Sequence, residues 1–226
     1  MSLVTVGRDL GAWGLSPQTP GRRAYARHDA AIARWLKQEY PALARQARRA
    51  KATIYWGDEM GLRSDHVTGT SYAPVGQPPV LRAPGQRFGC TMISAITNKG
   101  ALAFLVCEGT FKAPVCVAFL QRLLKQIAGT IYLIVAGQPV HKSGQATRGA
   151  ATHSSRLRLI RMPGYCPELN PDEWLNQDVK TTGLGKSRPT NRTELLAIVR
   201  SHVYRRHKQP QVSTNLLREK HVRYAA

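Results

Sequence analysis

The sequence predicts an α/β fold, with a mixed sheet flanked by helices. Short apolar runs typical of buried strands alternate with segments whose apolar residues recur at helical spacing, and one short turn joins two of the runs. The predicted order is strand, β-hairpin, helix, strand, a helix or loop, strand and helix. Because helical crossovers join parallel strands and hairpins join antiparallel ones, this order indicates a sheet that contains both kinds of pairing.

The amino-terminal part of the chain is predicted to be helical. In residues 28–39, Ile32, Trp35 and Leu36 fall on one helical face, and a second, Arg-rich helical segment follows at 42–50. Residues 53–56 are apolar, β-branched and aromatic, which is typical of a strand. We expect this first central strand to end at Asp58.

The middle of the chain contains the predicted hairpin and crossover helix. Residues 65–87 are rich in Pro, Gly, Thr and Ser and are predicted to form an irregular loop. Two apolar runs, 88–97 and 101–108, are joined by Asn98-Lys99-Gly100, which favours a hairpin. Residues 114–128 have helical spacing, residues 131–135 are predicted to be a buried strand, and 157–162 a further strand.

Two helices complete the pattern. Asn170 is suited to the N-cap position, Pro171 to the first helical position, and Glu173 follows three residues after the cap. The last helix, residues 192–206, is basic, with its apolar residues predicted to face inward.

Composition limits the class of protein. A chain of 226 residues suits one domain of ordinary size with extensions. Its apolar stretches are too short to cross a bilayer and its start does not resemble a signal peptide, so we expect a soluble, cytoplasmic protein. Cysteines 90, 107, 116 and 166 lack CxxC spacing. This pattern indicates buried free thiols rather than zinc ligands or disulfides.

The formal charge of +20 indicates a polyanionic partner. Lys and Arg outnumber Asp and Glu ten to three in residues 1–51 and eleven to two in residues 180–226, while the middle is nearly balanced. Basic flanks of this kind favour nucleic acid, because phosphate contacts release condensed counterions. The alternative is a solvated surface that reflects only an Arg-rich composition.

Carboxylates are predicted to converge at one edge of the sheet. Asp58 follows the first strand, and Glu173 lies in the first turn of the helix after the last strand, where ligands collect in open α/β sheets. Such carboxylates would bind Mg²⁺ or Mn²⁺. In the alternative interpretation Asp58 is a turn residue and Glu173 only completes a capping box. Asp172 is interpreted as stabilising the helix dipole, and His141 as a hydrogen-bonding or packing residue.

Three segments resemble motifs of a known family. They read Tyr-Trp-Gly-Asp-Glu-Met-Gly at 55–61, Ile-Tyr-Leu-Ile-Val-Ala-Gly-Gln-Pro-Val-His at 131–141, and Pro-Gly-Tyr-Cys-Pro-Glu-Leu-Asn-Pro-Asp-Glu-Trp at 163–174. Together they resemble the motifs of mariner-type bacterial insertion-sequence transposases, which are DDE superfamily endonucleases with a ribonuclease-H-like fold. The resemblance implies DNA strand cleavage and transfer with Mg²⁺ or Mn²⁺.

The resemblance also assigns roles to individual residues. Asp58 matches the first catalytic aspartate and Glu173 the third acidic residue, and both are implied metal ligands. Ala136 falls on the second aspartate, and Gln138, two residues on, offers only a neutral amide oxygen. We therefore expect metal binding to be weakened or lost, and the protein to have little or no activity. Sequence alone leaves open whether Ala136 reflects natural decay or deliberate replacement.

The resemblance implies a domain organisation and partners. Residues 1–50 would be a basic helical linker at the end of a helix-turn-helix module that is mostly missing, 51–206 the ribonuclease-H-like catalytic domain, and 207–226 a basic tail. The expected partner is DNA, with a homodimer or a heterodimer with intact transposase as further possibilities, and a nucleoid-associated location. The alternative function is a non-catalytic DNA-binding protein or a dominant-negative partner. The predicted phosphate contacts are Arg45, Arg48, Arg49, Lys142, Lys180, Lys186 and Arg188.

Overall fold

A five-stranded mixed sheet forms the centre of the computed structural model, which describes residues 2–16, 24–65, 72–78, 80, 85–137, 153–185 and 187–226. The strands lie in the order β3-β2-β1-β4-β5. Pairing is antiparallel between β1 and β2 and between β2 and β3, and parallel between β1 and β4 and between β4 and β5. The predicted mixed sheet is confirmed. The strands are β1 (Thr53–Arg63), β2 (Gly89–Ile96), β3 (Leu102–Glu108), β4 (Ile131–Val135) and β5 (Leu157–Arg161).

Seven α-helices accompany these strands in the described residues. Two π-helical segments, Trp35–Glu39 and Val179–Gly183, and two short 3₁₀ turns, Pro167–Leu169 and Arg223–Ala225, adjoin them. The α-helices are α1 (Leu3–Ala12), α2 (Asp29–Arg34), α3 (Tyr40–Arg49), α4 (Ala113–Gln126), α5 (Pro171–Asp178), α6 (Arg192–His207) and α7 (Pro210–Leu216).

Side chains that point alternately to the two faces of the central strands divide the core into two layers. In β1, Trp56, Met60 and Leu62 face the cluster that includes α2, α3, α5 and α6, whereas Tyr55 faces the opposite side. On that opposite side α4 packs its apolar face, with Phe119 among the buried residues. Because successive side chains of a strand point to opposite faces, both layers are built from the same strands.

The predicted hairpin is confirmed, and the geometry of its turn explains why residue 100 is a glycine. β2 and β3 pair from Cys90 with Glu108 to Ile96 with Leu102. Gly100 in the connection has φ of +80°, and a Cβ there would clash with the backbone carbonyl of Pro210. The turn therefore needs glycine for its conformation and for the close approach of α7.

Two predicted boundaries were wrong. β1 does not end at Asp58 but continues to Arg63, because β2 provides an antiparallel partner along this whole extension. The helices predicted at 28–39 and 42–50 form one continuous helical rod through the π-helical segment. The wider π turn lies just before Pro41, which has no amide hydrogen and needs room at the preceding turn.

The two ends of the chain pack differently. α1 lies in the amino-terminal segment that was predicted to be helical, although no bounds were predicted for this helix; Ser2 caps it, and the side chains of Val4 and Trp13 are exposed. Residues after α6 instead enter the core, where Val222 is fully buried and the Tyr224 ring lies edge-on to Trp56 at a centroid distance of 5.5 Å. The four cysteines are free, and all but Cys107 are buried. No helix in the described ranges is apolar and long enough to cross a membrane.

Candidate active site

The candidate site lies at the edge of the sheet where β4 ends. β1 and β4 run parallel, and the last residue pair between them is Gly57 with Val135. Asp58 and Ala136 are the next residues on these two neighbouring strands, so the register places their backbones side by side. Because β4 ends at Val135 while β1 continues to Arg63, the edge of the sheet at this site is set by the end of β4.

Helix α5 brings Glu173 to the same place. Its N-cap, Asn170, accepts a hydrogen bond from the Asp172 N–H at 3.1 Å and donates its side-chain amide to the Gly57 carbonyl at 3.2 Å. The helix start is thereby attached to the strand residue preceding Asp58. The Asn170 backbone N–H donates to the Pro167 carbonyl, so it does not require Glu173 as a capping-box partner.

These elements enclose a cavity of about 750 Å³. Asp58, Ala136 and Glu173 line it together, as the sequence predicted. Glu59 also reaches this cavity. Glu168, from the same acidic motif as Glu173, pairs with Arg27 instead.

Asp58 is held in an environment that disfavours its charged form. Its side chain is buried, with 6% of the residue exposed. Burial raises the pKa of Asp58, and the neighbouring carboxylates of Glu173, Asp172 and Glu59 raise it further. One oxygen, Oδ2, accepts a hydrogen bond from the Asn176 amide at 2.7 Å.

The interpretation of Asp172 as a residue that stabilises the helix dipole was wrong. It lies in the first turn of α5, but its carboxylate does not serve the helix dipole at the surface, because it is completely buried and accepts a hydrogen bond from the Ser94 hydroxyl at 2.7 Å. Burial raises the pKa of Asp172 well above its usual range, although the Ser94 bond opposes this shift. Its other oxygen, Oδ1, is buried and has no hydrogen-bond partner among the described residues.

Helical spacing could have revealed this buried face. Positions 172, 175, 176 and 179 share one face of the helix, and all four are buried. The apolar residues Leu175 and Val179 marked that face in the sequence, and Asp172 and Asn176 lie on it. No comparable signal pointed to Ser94, because its partner is distant in sequence.

The predicted phosphate contacts do not converge on the cavity. Arg45, Arg48 and Arg49 are exposed along α3, and Arg48 lines a separate cavity with Thr53, the first residue of β1. Five residues of strand, roughly 17 Å, separate Thr53 from Asp58. Lys180 is half-buried after α5, and Arg188 is exposed, with a hydrogen bond to the Ser187 carbonyl at 2.8 Å. Four residues of the sequence predictions, Gln138, His141, Lys142 and Lys186, lie outside the described residues.

The donor set at this edge fits a hard divalent cation in part. Asp58 and Glu173 supply carboxylate oxygens, and no basic side chain of the described part of the chain forms an ion pair with Asp58 or Asp172. A divalent ion would relieve the repulsion among these carboxylates. Within the described ranges, however, no group of three His, Cys, Asp or Glu side chains is placed to hold a metal ion. Two carboxylates, those of Asp58 and Glu173, line this edge together with Ala136, whose side chain carries no oxygen.

A comparison with models of protein families identifies the family of the chain. The model described as DDE superfamily endonuclease matches residues 53–196, which extend from the start of β1 into α6. The chain belongs to the DDE superfamily endonucleases. A comparison with curated protein sequences gave no match.

Solved structures that are similar to this chain include several of Mos1 transposase. The chain is similar to the Mos1 strand transfer complex, with 16% identity and a TM-score of 0.67 over 98% of this chain and 67% of that chain. It is also similar to the Mos1 mariner paired end complex with Mn, with 14% identity and a TM-score of 0.66 over 100% of this chain and 71% of that chain. The catalytic domain of Mos1 mariner transposase matches with 11% identity and a TM-score of 0.51 over 88% of this chain and 97% of that chain. The ribonuclease-H-like fold of this DDE domain is therefore confirmed.

Proposed function

We propose that this DDE domain is of the transposase type and that its cavity is a site for metal-dependent DNA strand cleavage and transfer, impaired in this chain by Ala136. The observation that carries the proposal is the meeting of Asp58, Ala136 and Glu173 in one cavity of a DDE fold. Similar solved structures include Mos1 transposase complexes named as paired-end and strand-transfer complexes. These complexes favour DNA as the partner and transfer between DNA ends as the reaction.

Asp58 and Glu173 would hold the cation. Bound Mg²⁺ or Mn²⁺ would supply Lewis acidity, lowering the pKa of a water or hydroxyl group and stabilising charge on the phosphodiester oxygens. Asp58 is suited to this role because Asn176 fixes one of its oxygens at 2.7 Å. Glu173 is held by α5, whose start is attached to the Gly57 carbonyl through Asn170.

Ala136 accounts for the proposed loss of activity. An aspartate at this position would add a charge and an oxygen ligand beside Asp58, whereas a methyl group adds neither. With one corner missing, we expect the metal to bind weakly and the attacking and leaving oxygens to be poorly stabilised. Gln138 and His141 lie outside the described residues, and Gln138 would supply only a neutral amide oxygen.

The direct test compares this chain with Ala136→Asp in a DNA cleavage and strand-transfer assay with Mg²⁺ and Mn²⁺. We expect cleavage to rise at least about tenfold in the variant, since one added metal ligand changes transition-state stabilisation by more than about 1.4 kcal/mol. The double variant Asp58→Asn with Ala136→Asp is the control and should be inactive. Equal and robust cleavage by this chain and by Ala136→Asp would refute the role of position 136.

A second candidate, a DNA-binding protein without catalysis, is favoured by the same alanine and by the charge of +20. In that role Arg45, Arg48, Arg49, Lys180 and Arg188 would contact phosphates, and the chain could pair with itself or act as a dominant-negative partner of an intact transposase. The logarithm of the association constant should then fall linearly with the logarithm of salt concentration. Replacing the three α3 arginines by Gln should reduce that slope, whereas replacing the exposed Arg122 and Lys125 of α4 should change it less.

A further inference from the structure

Tyr165 occupies a backbone conformation that its side chain disfavours. Its φ is +58°, and only one other non-glycine residue of the described chain, Lys51, has a positive φ. Aromatic residues rarely adopt this left-handed conformation, whereas Gly and Asn adopt it readily. Strained positions of this kind cluster at ligand sites, where the surrounding structure holds them in place.

The residues around Tyr165 hold the strained loop on both sides. On one side, the Met162 N–H donates to the Val135 carbonyl at 3.0 Å. On the other, Cys166 is buried, its thiol donates to the Pro163 carbonyl at 3.0 Å, and its own carbonyl accepts from the Leu169 N–H. The backbone of Tyr165 is therefore fixed by its neighbours rather than by its own ring.

The Tyr165 ring contributes little to the fold. The residue is 62% exposed, and within the described residues the ring makes no aromatic contact and its hydroxyl no hydrogen bond. A glycine would suit the backbone better and would lose only the contacts of a largely exposed side chain. The presence of tyrosine is explained more simply if the ring contacts a partner outside this chain.

The surroundings of Tyr165 identify the chemistry of that partner. Tyr165 lines the same cavity as Asp58 and Glu173, and so does Arg161, the last residue of β5. Arg161 is exposed and has no ion pair with any described residue. An aromatic face, a guanidinium group and two carboxylates suited to a metal thus surround one space. A nucleotide presents the matching groups, which are a flat base and negatively charged phosphates.

We propose that Tyr165 stacks on an unpaired nucleobase of the DNA strand whose phosphate is held at Asp58 and Glu173, and that Arg161 pairs with a neighbouring phosphate. This inference rests on the proposed function, because it takes DNA as the ligand of the same cavity. It adds that one base of the bound strand is unstacked from the duplex. Binding of an intact duplex would not require an unstacked base. Base stacking on an exposed aromatic residue is tolerant of sequence.

The test separates a loss of base stacking from a loss of folding. Tyr165→Gly should weaken oligonucleotide binding without lowering the unfolding temperature. We expect Tyr165→Gly to unfold at the same or a higher temperature than the unaltered chain, because it relieves the positive φ. We expect it to bind a single-stranded oligonucleotide containing 2-aminopurine about 5- to 150-fold more weakly, and to lose the fluorescence quenching caused by stacking. Tyr165→Phe should retain affinity and quenching. The assay is run with Ca²⁺, which carboxylate oxygens bind, so that the phosphate can be held at Asp58 and Glu173, and a gel of the recovered oligonucleotide checks that it stays uncleaved.

Two controls separate base stacking from phosphate binding. Tyr204→Ala removes another exposed tyrosine, 54% exposed on α6, and should leave affinity unchanged. Arg161→Gln should weaken binding to single-stranded and duplex oligonucleotides alike, because both present phosphates. Tyr165→Gly should weaken binding to the single strand much more than to the duplex.

Other outcomes would overturn the inference. If Tyr165→Gly binds the single strand as tightly as the unaltered chain, or if Tyr165→Phe weakens binding as much as Tyr165→Gly, Tyr165 does not stack on a base, and the proposed function stands on its own test. If the unaltered chain binds neither single-stranded nor duplex DNA, the proposed function fails and this inference fails with it.

Discussion

At the scale of single residues, the site depends on how buried polar groups hold Asp58. Asn176 is 1% exposed, and its amide is within 2.7 Å of the Asp58 carboxylate, while its own carbonyl oxygen has no partner among the described residues. A residue that orients a metal ligand affects metal affinity without touching the metal. Asn176 is thus a positioning residue for Asp58.

Replacing Asn176 by Leu should weaken Mn²⁺ binding about 10- to 100-fold, because Asp58 loses the donor that orients it. The measurement is a Mn²⁺ titration of the Ala136→Asp protein with and without Asn176→Leu. Val199→Ala is the matched control, since it removes buried apolar volume from α6 without contacting Asp58. If both substitutions change the affinity equally, Asn176 has only a packing role.

At the scale of elements, α5 is fixed at both ends. Asn170 attaches the start of the helix to β1. At the end of the helix, Asp178 accepts two hydrogen bonds from Arg206, at 2.7 and 2.8 Å. Its carboxylate also lies 2.8 Å from the Nε2 atom of His202. Burial alone would raise the pKa of Asp178, but the hydrogen bonds and charges of His202 and Arg206 outweigh it and hold the pKa below its usual value. The helix that carries Glu173 is therefore anchored to α6 by an ion pair.

This anchor predicts a dependence of stability on pH. Because the folded pKa of Asp178 is lowered, its contribution is present above the unfolded pKa of about 3.9 and is lost as pH falls below that value. Asp178→Asn should lower the free energy of unfolding at pH 7 by about 2 to 4 kcal/mol and make the acid limb of the stability profile shallower. Chemical denaturation between pH 3 and pH 7 measures both effects, with the exposed Gln177→Ala as the control. An unchanged acid limb in Asp178→Asn would show that this ion pair does not stabilise the fold.

The elements also show what the sequence could and could not predict. Strand β4 was predicted at its observed bounds, since a short apolar run buried on both faces has few alternatives. The end of β1 was wrong because Gly57, Asp58 and Glu59 are weak strand formers, and only pairing with the distant β2 keeps them extended. Helical spacing with Leu175 and Val179 could have predicted the burial of Asp172, but its partner Ser94 could not be predicted, because Ser94 lies on the distant strand β2.

At the scale of the whole molecule, the fold gathers acidic side chains into one cavity of a chain whose net charge is +20. The sheet has α4 on one face and α2, α3, α5 and α6 on the other, and the three motif positions meet at one edge of this sheet. The sequence motifs predicted this meeting, because strand ends and helix starts share an edge in such folds. The basic residues were predictable only as a total charge, since their positions depend on packing between distant elements.

The proposal for the molecule as a whole is that position 136 is the missing corner of a divalent metal site formed with Asp58 and Glu173. It is tested most directly by titrating Mn²⁺ into this chain and into Ala136→Asp, and following the loss of the free-ion signal by electron paramagnetic resonance. We expect Ala136→Asp to bind Mn²⁺ at least about tenfold more tightly than this chain, and adding Glu173→Gln to abolish the gain. Equal Mn²⁺ affinity of the two proteins would contradict it.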